Sequence, residues 1–223
     1  MKSNLQGCIY TFPGLGATSA MFKDYRFANY DFRHIEWQEP QRGETLKSYA
    51  ARYLPQIDKS KPVVFLGVSF GGIIATELAR IYKPSLLILI SSVPSAHSIP
   101  FKFRMGRLFP LARISGSLIK KCIPLVEWTF GIKSEENSKL FRQMTEEVSP
   151  AFFPWAIHVV SGWRGEQSEG VVTLVIHGAK DLVFPAKKIK YDYLIDGAGH
   201  FMAVEDYEKV IEIIEKELSY GML

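Results

Sequence analysis

Short apolar runs recur along the chain at 8–12, 32–36, 63–66, 86–90, 171–176 and 191–195, each bounded by Gly, Pro or polar clusters. Most are continuously apolar rather than alternating, the pattern of strands buried on both faces of a parallel sheet. Between them lie stretches with helical period. Over 44–57 the apolar set Leu46, Tyr49, Ala50, Tyr53, Leu54 and Ile57 shares one face. Residues 72–82 and 203–218 repeat the pattern, the second with Val204, Tyr207, Val210, Ile211, Ile214 and Leu218. Strands alternating with helices predict an α/β fold with right-handed crossovers.

One stretch departs from this rhythm. From 94 to 165 no convincing strand is found, and aromatic residues such as Phe101, Phe109, Trp128, Phe130, Phe152 and Trp155 stand among helix formers and scattered prolines. It is too long for a structureless loop and predicts a helical insertion between two core strands. The expected division is a core of 1–93 and 166–223, with 94–165 inserted as a lid.

Composition narrows the function classes. The 223 residues are 47% hydrophobic and 22% charged, which fits a soluble globular domain carrying an insertion. A formal net charge of +4 is small for a nucleic-acid binder, so no nucleic-acid partner is expected. Cys8 and Cys122 make neither a disulfide framework nor a zinc site. The N-terminus does not read as a signal peptide, and no apolar run approaches the roughly 20 residues of a membrane span. No integral membrane segment is expected, and the cytoplasm is the expected location.

The most informative residues are Val63-Val64-Phe65-Leu66-Gly67-Val68-Ser69-Phe70-Gly71-Gly72. An apolar strand runs into Gly-x-Ser-x-Gly and leaves it as a helix. A strand that reverses so sharply holds its apical residue under strain with the side chain projecting. Neighbours two positions away are pressed against backbone, which selects glycine. The helix start offers free N–H groups to a developing anion.

A serine hydroxyl needs a base, normally a histidine held by a carboxylate. Of five histidines, His34 lies beside a strand and His97 and His158 fall in the insertion. His177 ends a strand and reads as support for the loop that follows. His200, in Asp196-Gly197-Ala198-Gly199-His200-Phe201, lies at the strands' C-terminal edge with Ser69, which makes it the candidate base. Asp181, in the loop after strand 171–176, is the candidate carboxylate. Its rivals are Asp192, expected in solvent at the opposite end of the last strand, and Asp196, a turn residue before glycine. The oxyanion donors expected are the backbone N–H groups of Phe70, directly after the serine, and of Leu15 in Phe12-Pro13-Gly14-Leu15-Gly16.

The order Ser69, Asp181, His200, with the sharp turn after the third strand, resembles the α/β-hydrolase superfamily. The resemblance runs from Phe12-Pro13-Gly14-Leu15-Gly16 to Gly197-Ala198-Gly199-His200-Phe201. It implies a sheet ordered 2-1-3-4-5-6, helices on both faces and a helical cap after the fourth strand. The family's two N-terminal antiparallel strands are missing, so a reduced, mainly parallel six-stranded sheet is expected. Many members carry His-Gly where this chain has Pro13-Gly14. The short spacing from Asp181 to His200 implies that the usual joining helix shrinks to a loop near 185–190.

The reading is a serine hydrolase that cleaves a carboxylic ester or thioester through an acyl-enzyme on Ser69, with no metal or organic cofactor. A binding module that has lost catalysis, a membrane-surface lipase and a carbon–carbon bond hydrolase are the alternatives. Charge adds one detail. Residues 94–165 hold ten basic and five acidic side chains, while the rest hold 17 and 18. From 101 to 121 there are six basic residues and no acidic one. This reads as a solvated helix face, or as a basic lid that attracts an anionic substrate, an acidic partner or a membrane surface.

Overall fold

Six strands hydrogen-bond side by side in the order β2-β1-β3-β4-β5-β6, and all five pairings are parallel. They belong to a computed structural model that describes residues 6–101, 103 and 122–219. In chain order the main elements are β1 (Gly7–Phe12), β2 (Tyr30–His34), α1 (Leu46–Ala51), β3 (Val63–Val68), α2 (Phe70–Ile81) and β4 (Leu86–Ile90). Then follow α3 (Ile123–Phe130), α4 (Glu135–Glu147), α5 (Phe152–Ser161), β5 (Thr173–Gly178), β6 (Tyr193–Ile195), α6 (Met202–Glu205) and α7 (Tyr207–Ser219). The order is the one the family resemblance implied, and no strand among the described residues lies between β4 and β5. The joining element between β5 and β6 is a single 3₁₀ turn, Ala186–Lys188.

Every residue of β1, β3 and β4 is buried, which explains their unbroken apolar sequences. Alternate residues feed two separate cores. Tyr10, Phe65, Leu87 and Val175 point to one face with α1 and α2, and Ile9, Val64, Ile88 and Ile176 to the other with α7. The helices after β4 divide between the cores. Phe152 and Phe153 of α5 join the first, and Phe141 and Met144 of α4 join the second. They therefore straddle the sheet edge on which the candidate residues lie.

Local chemistry sets the helix ends. Thr45 and Ser48 form a reciprocal capping box on α1. Ser134 caps α4, whose first turn carries Glu135 and Glu136 against the positive end of the helix dipole. Gly131, at φ 73°, closes α3.

The expected boundaries need correction in places. The edge strand β2 sits two residues earlier than its apolar pattern suggests. Ile35 is buried at the strand exit, whereas Phe32 and Arg33 are only half-buried. The 44–57 helix ends at Ala51 and resumes as a 3₁₀ turn at Leu54–Gln56, where Pro55 has no N–H to give. The last helix breaks at Asp206 into α6 and α7. Lys102, Arg104, Arg107, Arg113, Lys120 and Lys121, the six basic residues of the basic-lid expectation over 101–121, lie outside the described residues, as does Phe109. No helix among the described residues is long and apolar enough to cross a membrane.

Candidate active site

β3 delivers Ser69 to the C-terminal edge of the sheet at φ 51° and ψ −117°, between a strand and a helix. Only Ser91 shares a positive φ among the described non-glycine residues. Such strain persists where surrounding bonds over-determine it. Here the Ser69 N–H donates to the Ile90 carbonyl at 3.0 Å. The Ser69 carbonyl accepts from Gly72 N at 3.0 Å, Ile73 N at 3.3 Å and Ser92 Oγ at 2.7 Å. The glycines are there for space. A Cβ on Gly67 would lie 2.5 Å from Gly72 Cα, and one on Gly71 would strike the Phe12 and Pro13 carbonyls.

His200 stands in the turn between β6 and α6, entered through Gly197 at φ 73°. Its Nε2 is 2.9 Å from Ser69 Oγ, and its Nδ1 is 2.7 Å from Asp181 Oδ2. Asp181, buried in the β5 exit loop, accepts from Val183 N and Phe184 N at 2.8 Å each through Oδ1. Burial alone would raise its pKa. Attraction to His200 and the hydrogen bonds from His200 and Phe184 outweigh that and hold it below the usual carboxylate value. An ionised Asp181 only accepts, so the proton on His200 sits at Nδ1 and the Nε2 lone pair faces the serine hydroxyl. The arrangement can draw a proton from Ser69.

The other candidates separate cleanly. Asp192 and Asp196 are both exposed, the first at the start of β6 and the second in the turn after it. His34 bonds Thr11 at the end of β2, and His97 and His158 are exposed. The 13–16 loop crosses beside Ser69, where a Cβ on Gly14 would lie 3.7 Å from Ser69 Cβ. Neither Leu15 N–H nor Phe70 N–H donates to a protein acceptor among the described residues.

Three contributors were not anticipated. The rings of Phe130 and Phe184 pack edge-on against His200, with centroids 4.9 and 5.6 Å away. Ser92 braces the Ser69 carbonyl. The polar pair Ser91-Ser92 ending an apolar run was the available signal for Ser92; nothing local marked the two rings. A separate groove of about 650 Å³, between α1, α2 and α5, is lined by none of Ser69, Asp181 and His200. It offers no nucleophile with a base, so chemistry rather than volume locates the site. Among the described residues no cluster of His, Cys, Asp or Glu is placed to hold a metal ion.

Solved structures share this architecture. MenH from S. aureus superposes with a TM-score of 0.75 at 20% identity, covering 98% of this chain and 96% of its own. A thermophilic esterase from Thermogutta terrifontis gives 0.67 at 20% identity, covering 99% and 92%. The RedJ thioesterase of the prodiginine pathway in Streptomyces coelicolor gives 0.67 at 12%, covering 96% and 86%. No curated protein matches the chain by sequence. The model of the alpha/beta hydrolase family, however, matches residues 3–213, nearly the whole chain, and spans the strained serine turn, the Asp181 loop and the His200 turn together. The chain belongs to the alpha/beta hydrolase family.

Proposed function

We propose that the protein is a serine hydrolase that cleaves a small-molecule carboxylic ester or thioester through an acyl-enzyme on Ser69. The observation that carries this reading is the unbroken hydrogen-bonded line from Ser69 Oγ through His200 to Asp181, starting at a strained serine. Ser69 Oγ attacks the substrate carbonyl carbon while its proton passes to His200 Nε2. Asp181 holds the tautomer and balances the imidazolium charge. The oxyanion of the tetrahedral intermediate lies between the N–H groups of Leu15 and Phe70, where a single such donor contributes about 10²–10³-fold in rate. Collapse expels the alcohol or thiol, which takes the proton from Nε2. Water then repeats the sequence on the acyl-enzyme, and the carboxylic acid leaves. The mechanism calls for no metal or organic cofactor.

Residues 94–165 act in this reading as the lid, with Phe130 of α3 forming a wall over His200. The aromatic group of Phe70, Trp37, Phe152 and Trp155 supports an apolar acyl portion. The similar structures from Thermogutta terrifontis and Streptomyces coelicolor are an esterase and a thioesterase, which agrees with these two substrate classes.

The test is labelling by a fluorophosphonate probe, followed by a panel of p-nitrophenyl esters and acyl-CoA thioesters of graded chain length. Labelling of wild type and none of Ser69→Ala is expected. Equal, absent labelling of both would favour a binding module. Labelling without turnover of either ester class would favour a carbon–carbon bond hydrolase.

A further inference from the structure

His177 lies at the C-terminal end of β5, fully buried. Its Nε2 is 2.7 Å from the Phe184 carbonyl oxygen and 3.4 Å from Asp181 Oδ2. A carbonyl only accepts, so the proton must sit on Nε2, leaving Nδ1 as a bare lone pair. That Nδ1 is buried and has no partner. Two imidazoles therefore face one carboxylate oxygen, because His200 Nδ1 reaches the same Oδ2 at 2.7 Å. Only His200 touches the serine.

We propose that His177 is a positioning residue that acts through Asp181: an Nε2–H donor that clamps the 181–184 turn and tempers the pull of Asp181 on His200. This rests on the serine-hydrolase reading of Ser69. The clamp is direct, since one N–H ties the start of the acid loop to the carbonyl of Phe184, whose own N–H holds Asp181 Oδ1. The tempering is electrostatic. The positive end of the N–H dipole stabilises the carboxylate charge that also faces His200. A charged His177 would instead compete for the carboxylate. Burial, the dominant influence, lowers its pKa, against the raising effects of the Phe184 carbonyl and Asp181. Asp181 and His200 are the charged or titratable groups that act on it.

The experiment follows the fluorophosphonate labelling rate of Ser69 against pH for wild type, His177→Gln and His177→Phe. Glutamine can place an amide N–H near the Nε2 position without titrating, while phenylalanine keeps the ring and removes the donor. In His177→Phe the plateau rate should fall about tenfold through a loosened acid loop. Its acid limb should also move to higher pH, because the Asp181 charge that faces His200 is no longer shared with a second N–H. His177→Gln should keep the wild-type limb. Wild type unlabelled at every pH overturns the serine reading itself. Wild type labelled, with the limb of a folded His177→Phe unmoved, overturns the role of His177 alone. Should His177→Phe not fold, ¹⁵N-histidine spectra of wild type decide. A neutral ring at pH 7 with its proton on Nε2, titrating below the ordinary histidine range, is expected. An Nδ1–H ring, or a ring already charged at pH 7, overturns the proposal.

Discussion

Gly67→Ala isolates what the close approach at the serine turn does. The new methyl would lie 2.5 Å from Gly72 Cα, 2.7 Å from Gly72 N and 2.8 Å from Gly71 C, all backbone of the first turn of α2. Ordinary carbon contacts sit at about 3.5–4.0 Å, so α2 must retreat from β3 by about 1 Å. Overpacking of this kind costs about 1–3 kcal/mol. For a chain of this length that lowers Tm by about 2–4 °C per kcal/mol. The same retreat carries Ser69 Oγ and the Phe70 N–H away from the His200 and Leu15 side. A misplacement of about 1 Å is worth about 10²-fold in rate. The control is Gly43→Ala. Its φ of 75° strains any L-residue by about 1–2 kcal/mol, yet nothing lies within 4 Å of the new methyl. Melting curves and fluorophosphonate labelling rates should therefore diverge. Both variants lose similar stability, and only Gly67→Ala loses about 10²-fold in labelling. Equal labelling by both would refute the claim that this backbone contact places the nucleophile.

Asp181→Asn should keep the fold but let His200 adopt the wrong tautomer, lowering kcat by about 10⁴-fold on whichever ester is turned over. Stability should fall on acidification with contributions from two groups whose folded pKa values lie below their unfolded ones. Asp181 contributes stability above its unfolded pKa of about 3.9, lost as pH drops through the folded value. Buried neutral His177 contributes above its unfolded pKa of about 6.5, with a loss of up to about 1.4 kcal/mol per pH unit below it. Urea titrations at pH 7 and pH 5 should show wild type losing more than His177→Gln, and equal losses would contradict the assigned protonation. Glu77→Leu removes the acceptor 2.8 Å from the Trp163 indole N–H and should cost about 1–3 kcal/mol by urea unfolding, with labelling of Ser69 unchanged.

The parts legible in the sequence are those where burial on both faces leaves no ambiguity. β1, β3 and β4 read directly from their apolar runs, and the turn at Ser69 from glycines that only close backbone contacts require. Edge elements read less well. β2 has one buried residue and four that are not, so Ile35 beyond its end displaced the pattern. Asp181 and His200 could be brought together from sequence because both lie in loops on the sheet edge that carries Ser69, and the structure places them 2.7 Å apart. The rings over His200 could not be placed this way. Phe130 precedes it by 70 positions, and its place depends on how α3 meets the 197–200 turn. There the Phe130 carbonyl accepts from Phe201 N, and a Cβ on Gly131 would lie 3.2 Å from Gly199 Cα. No periodicity encodes such a contact.

The alignment of Ser69, Asp181 and His200 traces to β4, which carries none of them. In the sheet β4 stands between β3, which carries Ser69, and β5, which carries the acid loop. Its last residue, Ile90, accepts the Ser69 N–H. The next, Ser91, donates its N–H to Ile176 of β5, and Ser92 braces the Ser69 carbonyl. The strand that binds the Ser69 turn is thus bonded to the strand that presents Asp181. Strain follows the same line, since Ser69 and Ser91 are the two described non-glycine residues at positive φ. A parallel sheet aligns successive strand exits on one edge, and β6 adds His200 beyond β5. Residues 131 positions apart in the chain, Ser69 and His200, therefore meet at hydrogen-bond distance.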